Sequence, residues 1–151
     1  MLPGMQQDPA DVGAFFQRLI HAASLVEARL EEAVSRTGLS LAKLGVLQHL
    51  VDAGEPLPLG QLAERIACVK SNVTQLVDRL EAEGLVRRET DSEDRRIVRA
   101  VITAAGCARY AEAVRAREEA EQRLAQAIPA ELRPGAAELL AGLARASATA
   151  S

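Results

Sequence analysis

The chain has 151 residues, of which 48% are hydrophobic, 2% are aromatic and none is tryptophan. A core of alanine and leucine on helices is therefore expected. Its 18 basic and 21 acidic residues give a net charge of −3, which excludes a generally basic nucleic-acid coat protein but not a local DNA-binding surface. The two cysteines, Cys68 and Cys107, are far apart without a CxxC spacing, so neither a disulfide framework nor a zinc site is indicated.

No motif in the sequence is typical of an enzyme or of a cofactor site. It has no glycine-rich phosphate loop, metal-binding pattern or nucleophile elbow, and His21 and His49 lack a neighbouring Cys or carboxylate constellation. We therefore predict no catalytic residue, no metal and no cofactor. Charges interrupt every apolar run before it reaches membrane length, and no signal peptide is evident, so a cytoplasmic protein without a membrane partner is expected.

The first part of the chain predicts a short arm and two helices. Residues 1–10 contain Pro, Gly and Gln without an apolar period, and we expect them to form a flexible N-terminal arm. From Asp11, which suits an N-cap, apolar residues recur at helical spacing as far as Arg36. Gly38 closes this helix and Ser40 can cap the next one, which ends at the turn signal of residues 52–56.

Residues 59–103 have the pattern of a winged helix-turn-helix. Leu59, Leu62, Ala63 and Ile66 predict a short helix, a turn follows at 67–69, and a second amphipathic helix runs until Gly84. Segments 85–90 and 97–103 predict the two strands of a hairpin, joined by a long charged loop at 91–96. This order of elements is a known device for placing one helix in the DNA major groove and a loop on the adjacent backbone or minor groove.

The C-terminal part predicts two more helices. Thr103 can cap a long helix from 104 to about 127, Pro129 breaks it, and Pro134 is expected in the first turn of the last helix. The apolar stripes of the first helix and of the last two favour a homodimer that buries them over a compact monomer. The predicted fold is mainly α with a small β-hairpin wing: a helical dimerisation region at 11–36 and 104–147, and a winged helix-turn-helix at 37–103.

The outer face of the second motif helix carries the candidate DNA-reading side chains. Short hydroxyl and amide groups near a helix start can reach phosphates and base edges, and the helix dipole attracts phosphate. Asn72 or Gln75 could pair with adenine, while Lys70 suits a phosphate. The competing interpretation is that these side chains form only the solvent-exposed polar face of a helix. The neighbouring wing favours DNA binding over that interpretation. The candidates are Lys70, Ser71, Asn72, Thr74 and Gln75.

The charged loop of the hairpin places Arg95 and Arg96 where a winged helix meets DNA. An arginine in the minor groove reads its width and negative potential. Asp94 lies two residues before Arg96, close enough to brace its guanidinium with a charge-assisted hydrogen bond. The alternative is a solvated charge cluster, because surface ion pairs contribute only about 0–1 kcal/mol. Eight basic residues oppose seven acidic ones between residues 65 and 99, so modest non-specific affinity is expected.

Several of these segments together resemble the MarR family of bacterial transcription regulators. The resemblance covers about residues 11–146 and rests on LAERI at 62–66, SNVTQLVDRLE at 71–81, GLVRR at 84–88, DSEDRR at 91–96 and VITAAG at 101–106. It implies a homodimer, usually a repressor, that reads a pseudo-palindromic double-stranded site with half-sites about 34 Å apart. It also implies release from DNA by a small, often aromatic or phenolic, effector. By the family pattern, Arg96 enters the minor groove, Asp94 braces it, and the residues facing the major groove are Ser71, Asn72, Thr74 and Gln75.

Three positions depart from the family pattern. Val69 stands where a serine commonly caps the recognition helix, a cap whose loss costs about 1 kcal/mol. Ala67 replaces a common turn glycine, and Pro58 replaces a Thr or Ser before the first motif helix. These departures leave the expected fold intact and concern how the recognition helix begins.

Two other functions are compatible with the same fold. Oxidation of Cys68, at the turn of the motif, could displace the recognition helix, although for both Cys68 and Cys107 the role of a small buried hydrophobe is favoured. A winged-helix protein–protein interaction module without DNA binding is permitted by the acidic net charge, but Arg95 and Arg96 argue against it. Tyr110, the only tyrosine, could line an effector cleft or pack one helix against another.

Overall fold

The structure, a computed structural model, describes residues 11–66 and 70–149, with the side chains of residues 70 and 71 excepted. The predicted arm at 1–10 and the predicted turn at 67–69 lie outside the described residues. The fold is mainly helical with a small antiparallel sheet, as predicted. In chain order its elements are α1 (Val12–Ser35), α2 (Leu41–Ala53), β1 (Leu57–Pro58), α3 (Leu59–Ile66), α4 (Lys70–Ala82), β2 (Val86–Thr90), β3 (Val98–Ile102), α5 (Ala104–Ala125), a 3-10 helix (Ala130–Leu132) and α6 (Arg133–Ala148).

Side-chain caps begin three of the helices at the predicted residues. The Asp11 carboxylate accepts a hydrogen bond from the Gly13 N–H at 2.9 Å, at the start of α1. Ser40 Oγ accepts from the Lys43 N–H at 3.1 Å, and Thr103 Oγ1 begins α5 in the same way. Such bonds satisfy backbone donors that the first turn of a helix leaves unpaired. The three predicted helix starts are therefore confirmed.

The hydrophobic core lies between α2, α3, α4 and the sheet, with Val34 of α1 and Ala113 of α5 completing it. Full burial of one Leu or Val side chain contributes about 1.5–3 kcal/mol, so this cluster contributes strongly to the stability of the fold. The largest fully buried side chains are Val34, Leu44, Val46, Leu47, Leu50, Leu57, Leu62, Val73, Val77, Leu80 and Val86.

Among the described residues the sheet has three strands rather than the two predicted, in the order β1-β3-β2, and all neighbours are antiparallel. Strands β2 and β3 form the predicted hairpin, with Val86 opposite Ile102 and Thr90 opposite Val98. The additional strand β1 has two residues and pairs Leu57 with Ala100. A strand this short has no alternation to detect, and its proline is tolerated because β1 is an edge strand.

We call helices α1, α5 and α6 the helical region; it exposes many large apolar side chains, although α1 and α5 also pack on α2. α1 packs along α5, whereas no residue of α6 is buried. Pro129 lies between α5 and α6, and the first turn of α6 contains Pro134, as predicted. A monomer would leave this surface in water, which is unusual for a soluble chain. The exposed large apolar residues of the region are Val12, Phe15, Phe16, Ile20, Leu25, Val26, Ile128, Leu132, Leu139 and Leu140.

Candidate nucleic-acid interface

Helix α4 is held on the core by one face and presents polar residues on the other. Val73, Val77 and Leu80 are fully buried, which fixes the rotation of the helix about its axis. Asn72 and Gln75 are exposed, and Thr74 is half-buried. The side chains of Lys70 and Ser71 lie outside the described residues, as does Cys68 in the preceding turn. Of the five candidates on α4, three can therefore be placed, and two of these are exposed.

The loop between β2 and β3 is organised around one carboxylate, that of Asp91. Asp91 Oδ1 accepts hydrogen bonds from the N–H groups of Glu93 at 2.9 Å and Asp94 at 3.0 Å. Asp91 Oδ2 accepts from Arg99 Nε at 2.9 Å and from Arg99 Nη2 at 2.7 Å. Together the backbone donors and the guanidinium lower the pKa of the Asp91 carboxyl to about 2. The loop is thus tied to the strand that follows it.

Arg96 extends from this loop into solvent in a fixed orientation. Its Nε and Nη2 donate to the two oxygens of Asp94 at 3.0 and 3.2 Å, and its backbone N–H donates to Asp94 Oδ1 at 3.0 Å. These bonds hold the pKa of the Asp94 carboxyl below its usual range. The Arg96 side chain is nevertheless 90% exposed, so the pair orients the guanidinium without covering it. The predicted contact between Asp94 and Arg96 is present, and Arg95 beside it is also exposed.

The Asp91 interactions predict a pH-dependent stability of the loop. Because the pKa in the fold lies below the usual value of 3.8, the carboxylate stabilises the folded chain above about pH 4. That contribution is lost as the pH falls from 4 through 2. We expect Asp91→Asn to lower the melting temperature at pH 6, and the difference from the wild type to shrink toward pH 2. Glu93→Gln, which removes a carboxylate from the same loop, is the control; an equal effect of both variants at pH 6 would contradict the assignment.

Arg88 on β2 makes contacts that the sequence analysis did not identify. Its guanidinium binds the carboxylates of Asp78 and Glu81 on α4, and its backbone N–H donates to Glu81 Oε1 at 3.1 Å. Burial works to lower the pKa of Arg88, but the hydrogen bonds and charges of the two carboxylates outweigh it and raise the pKa. The three-residue spacing of Asp78 and Glu81 on α4 could have indicated that one basic side chain binds both acids. It did not indicate that this side chain comes from β2.

Comparison with known proteins agrees with this geometry. A family model described as MarR family matches residues 37–97. The HTH-type transcriptional repressor MdtR of Bacillus subtilis (strain 168) is 30% identical over 124 residues, which cover 82% of this chain and 79% of MdtR. The chain belongs to the MarR family. The resemblance stated from the sequence is therefore confirmed, and the chain is a transcription regulator, not an enzyme.

Solved structures share the fold over nearly the whole chain. YusO from Bacillus subtilis is 27% identical, with a TM-score of 0.70 and coverage of 93% of this chain and 99% of YusO. CouR from Rhodococcus jostii RHA1, whose crystal structure contains p-coumaroyl-CoA, is 24% identical, with a TM-score of 0.71 and coverage of 91% and 95%. The predicted winged helix-turn-helix with helical extensions is thus confirmed.

The remaining sequence-based expectations for this MarR-family chain can now be compared with the structure. Cys107 on α5 is exposed, so its interpretation as a small buried hydrophobe is wrong. Within residues 11–66 and 70–149, no helix combines the length and apolar character needed to span a membrane. Tyr110 on α5 packs against the core and donates to Gln48 Oε1 on α2 at 2.6 Å, so its contacts correspond to the helix-packing interpretation. Of the three departures from the family pattern, Pro58 lies in β1, while Ala67 and Val69 lie outside the described residues.

Proposed function

We propose that this MarR-family regulator binds double-stranded DNA with α4 in the major groove and the loop 91–96 in the adjacent minor groove. The observation that carries the proposal is Arg96, whose guanidinium is 90% exposed yet held on both oxygens of Asp94. A cation fixed in advance loses little conformational freedom when it enters a narrow, negatively charged groove. The residues proposed to contact DNA are Lys70, Ser71, Asn72, Thr74, Gln75, Arg95 and Arg96.

The exposed apolar surface of α1 and α6 supports a homodimer as the DNA-binding form. A second copy of the chain can cover this surface with the same surface of its own, which is the usual solution in symmetric oligomers. Two copies of α4 would then read a pseudo-palindromic site whose half-sites lie about 34 Å apart, or one helical turn. A repressor of this kind acts where bacterial DNA is, so the cytoplasm remains the expected compartment.

Dimerisation predicts a large effect of Leu139→Glu. Leu139 is 48% exposed on α6, and in a dimer interface its replacement would bury an unpaired charge. Because such a charge costs several kcal/mol, we expect the dimer dissociation constant to rise about a hundredfold or more. Sedimentation equilibrium over a concentration series measures this. The control is Val51→Glu, which changes an apolar residue on α2 that is 37% exposed; equal dimer affinities for both variants would contradict this interface.

An apolar cavity of about 330 Å³ supports regulation by a small aromatic or phenolic effector. Its volume is in the range of small-molecule sites, and its position between α2, β3 and α5 joins the helical region to the helix-turn-helix lobe. A ligand there could change the angle between the two and release DNA, which fits a repressor such as MdtR. CouR offers a precedent, since its ligand contains a phenolic group. The cavity is lined by Leu50, Val51, Gly54, Glu55, Pro56, Val101, Ile102 and Cys107.

Selection from a random-sequence pool of duplexes, followed by hydroxyl-radical footprinting, tests the proposed DNA recognition. We expect the wild-type protein to enrich an inverted repeat and to protect two backbone regions about one helical turn apart. An enriched site without two-fold symmetry would contradict the dimeric mode of binding. Failure to enrich any sequence would contradict DNA recognition itself and would favour the protein–protein interaction module.

A further inference from the structure

Helix α4 carries two acids that would be unfavourable beside DNA phosphates if they were left unpaired. Asp78 and Glu81 are three residues apart, so they lie on the same side of the helix. Their carboxylates are both bound by one side chain from another element, Arg88 on β2. The ion pairs of Arg29 with Glu32 and of Arg117 with Glu121, by contrast, each join residues within one helix. The contact of Arg88 instead connects the helix to the hairpin.

The Arg88 side chain lies along α4 and contacts it at three places. Its Nη2 donates to an oxygen of Asp78 and lies 3.5 Å from the Thr74 carbonyl oxygen. Its Nη1 donates to Glu81 Oε2, while the other oxygen of Glu81 accepts from the Arg88 backbone N–H at 3.1 Å. Only 23% of the Arg88 side chain is exposed, so its donors are directed at α4 rather than at solvent. We call this arrangement the Arg88 clamp.

The Arg88 clamp is continuous with the contacts that hold the loop of the hairpin. Arg88 pairs in register with Ala100 of β3, next to Arg99. Arg99 binds Asp91, whose other oxygen accepts from the Asp94 N–H. Asp94 in turn holds Arg96, so strand pairing and then side-chain hydrogen bonds connect α4 to the Arg96 guanidinium.

We infer that Arg88 is a positioning residue for DNA binding, which holds α4 and the hairpin at one relative orientation so that both grooves are met at once. The inference rests on the proposed DNA function. Lysine cannot replace Arg88, because a single ammonium group lacks the planar fork that binds two carboxylates simultaneously. Arg88 is not expected to contact DNA, since both of its Nη atoms donate to groups of α4, namely Asp78, Glu81 and the Thr74 carbonyl oxygen.

The test compares Arg88→Gln and Arg88→Lys with the wild type on a duplex that the wild type has enriched from the random pool. We expect both variants to bind about fivefold to twentyfold more weakly, the usual range for residues that act through others. The slope of log affinity against log salt should stay as in the wild type, because no phosphate contact is lost. Arg87→Gln is the matched control: it removes the same charge one residue away, where Arg87 pairs with Glu89 instead of α4. We expect its affinity to stay within about twofold of the wild type.

Several outcomes would overturn the inference. Unchanged affinity of Arg88→Gln would show that the Arg88 clamp does not position α4. If the slope of log affinity against log salt were smaller in Arg88→Gln than in the wild type by about one per protomer, Arg88 would contact a phosphate directly. A triple variant that combines Arg88→Gln, Asp78→Asn and Glu81→Gln tests the role of charge alone. If it bound DNA with wild-type affinity, Arg88 would act only by neutralising the two acids.

Thermal unfolding shows whether each variant is folded. If Arg88→Gln does not fold, the DNA affinity of Arg88→Lys tests the inference instead. A wild type that enriches no duplex would overturn the proposed DNA function and this inference together. Wild-type binding with unaffected Arg88 variants would overturn the inference alone. The two failures are therefore distinguishable.

Discussion

Arg96→Ala is expected to weaken binding to the enriched duplex by about 1–3 kcal/mol for each half-site, the range for one well-formed DNA contact. The variant removes a guanidinium that is almost fully exposed and whose only role in the described structure is its pairing with Asp94 and the loop. Because an exposed ion pair adds little stability, the melting temperature should hardly change. Fluorescence anisotropy and thermal unfolding measure the two quantities. Unchanged affinity would contradict the assignment of the loop to the minor groove.

The contribution of the Asp94 brace can be separated from that of charge by two variants. Asp94→Asn and Glu93→Gln each remove one negative charge from the loop, so both should gain equally from weaker repulsion of DNA. Asp94→Asn also loses the charged partner of Arg96. We expect it to bind DNA more weakly than Glu93→Gln. If Asp94→Asn bound as tightly as Glu93→Gln, orientation of Arg96 by Asp94 would be unimportant.

Gly106→Ala is expected to destabilise the fold by about 3 kcal/mol, the upper part of the range for overpacking a core. A Cβ at Gly106 would overlap the Leu85 carbonyl oxygen and lie 2.8 Å from Ile102 Cγ1. The carbonyl group cannot move away easily, because it accepts a hydrogen bond from the Thr103 N–H at 3.1 Å. The close approach joins the start of α5 to the start of the hairpin. A loss of this size would lower the melting temperature by roughly 10 °C.

The matched control for Gly106→Ala is Gly45→Ala in α2, where an added Cβ would meet no atom within 4 Å. There the substitution should be neutral or stabilising by up to about 1 kcal/mol, because alanine favours the helix over glycine. Thermal and denaturant unfolding of both variants under one condition gives the comparison. If Gly106→Ala and Gly45→Ala were equally stable, Gly106 at the start of α5 would not approach the Leu85 carbonyl oxygen as closely as described.

Local chemistry made much of the fold predictable from the sequence. Asp11, Ser40 and Thr103 each bond to an N–H two or three residues ahead, so their meaning as helix caps is contained in a few neighbouring residues. The contact of Asp94 with Arg96 spans two residues and was predictable for the same reason. Apolar periodicity likewise placed α3 and α4, because each buries one face on a single core.

Features that depend on distant residues were not predictable in this way. Strand β1 exists because Leu57 pairs with Ala100, far along the chain, and its two residues carry no strand pattern of their own. The Arg88 clamp joins β2 to acids seven and ten residues earlier in the chain, across the turn between them. The cavity beside Cys107 forms only where α2, β3 and α5 meet. Each requires the relative placement of elements, which a single sequence does not define.

Sequence-specific DNA binding is best measured by fluorescence anisotropy of the wild-type protein on the enriched duplex and on a scrambled duplex of equal composition, over a salt series. We expect tight binding to the first duplex that weakens steeply with salt, and binding to the scrambled duplex weaker by at least about a thousandfold. Equal, weak binding to both duplexes would contradict recognition of DNA sequence by α4 and Arg96.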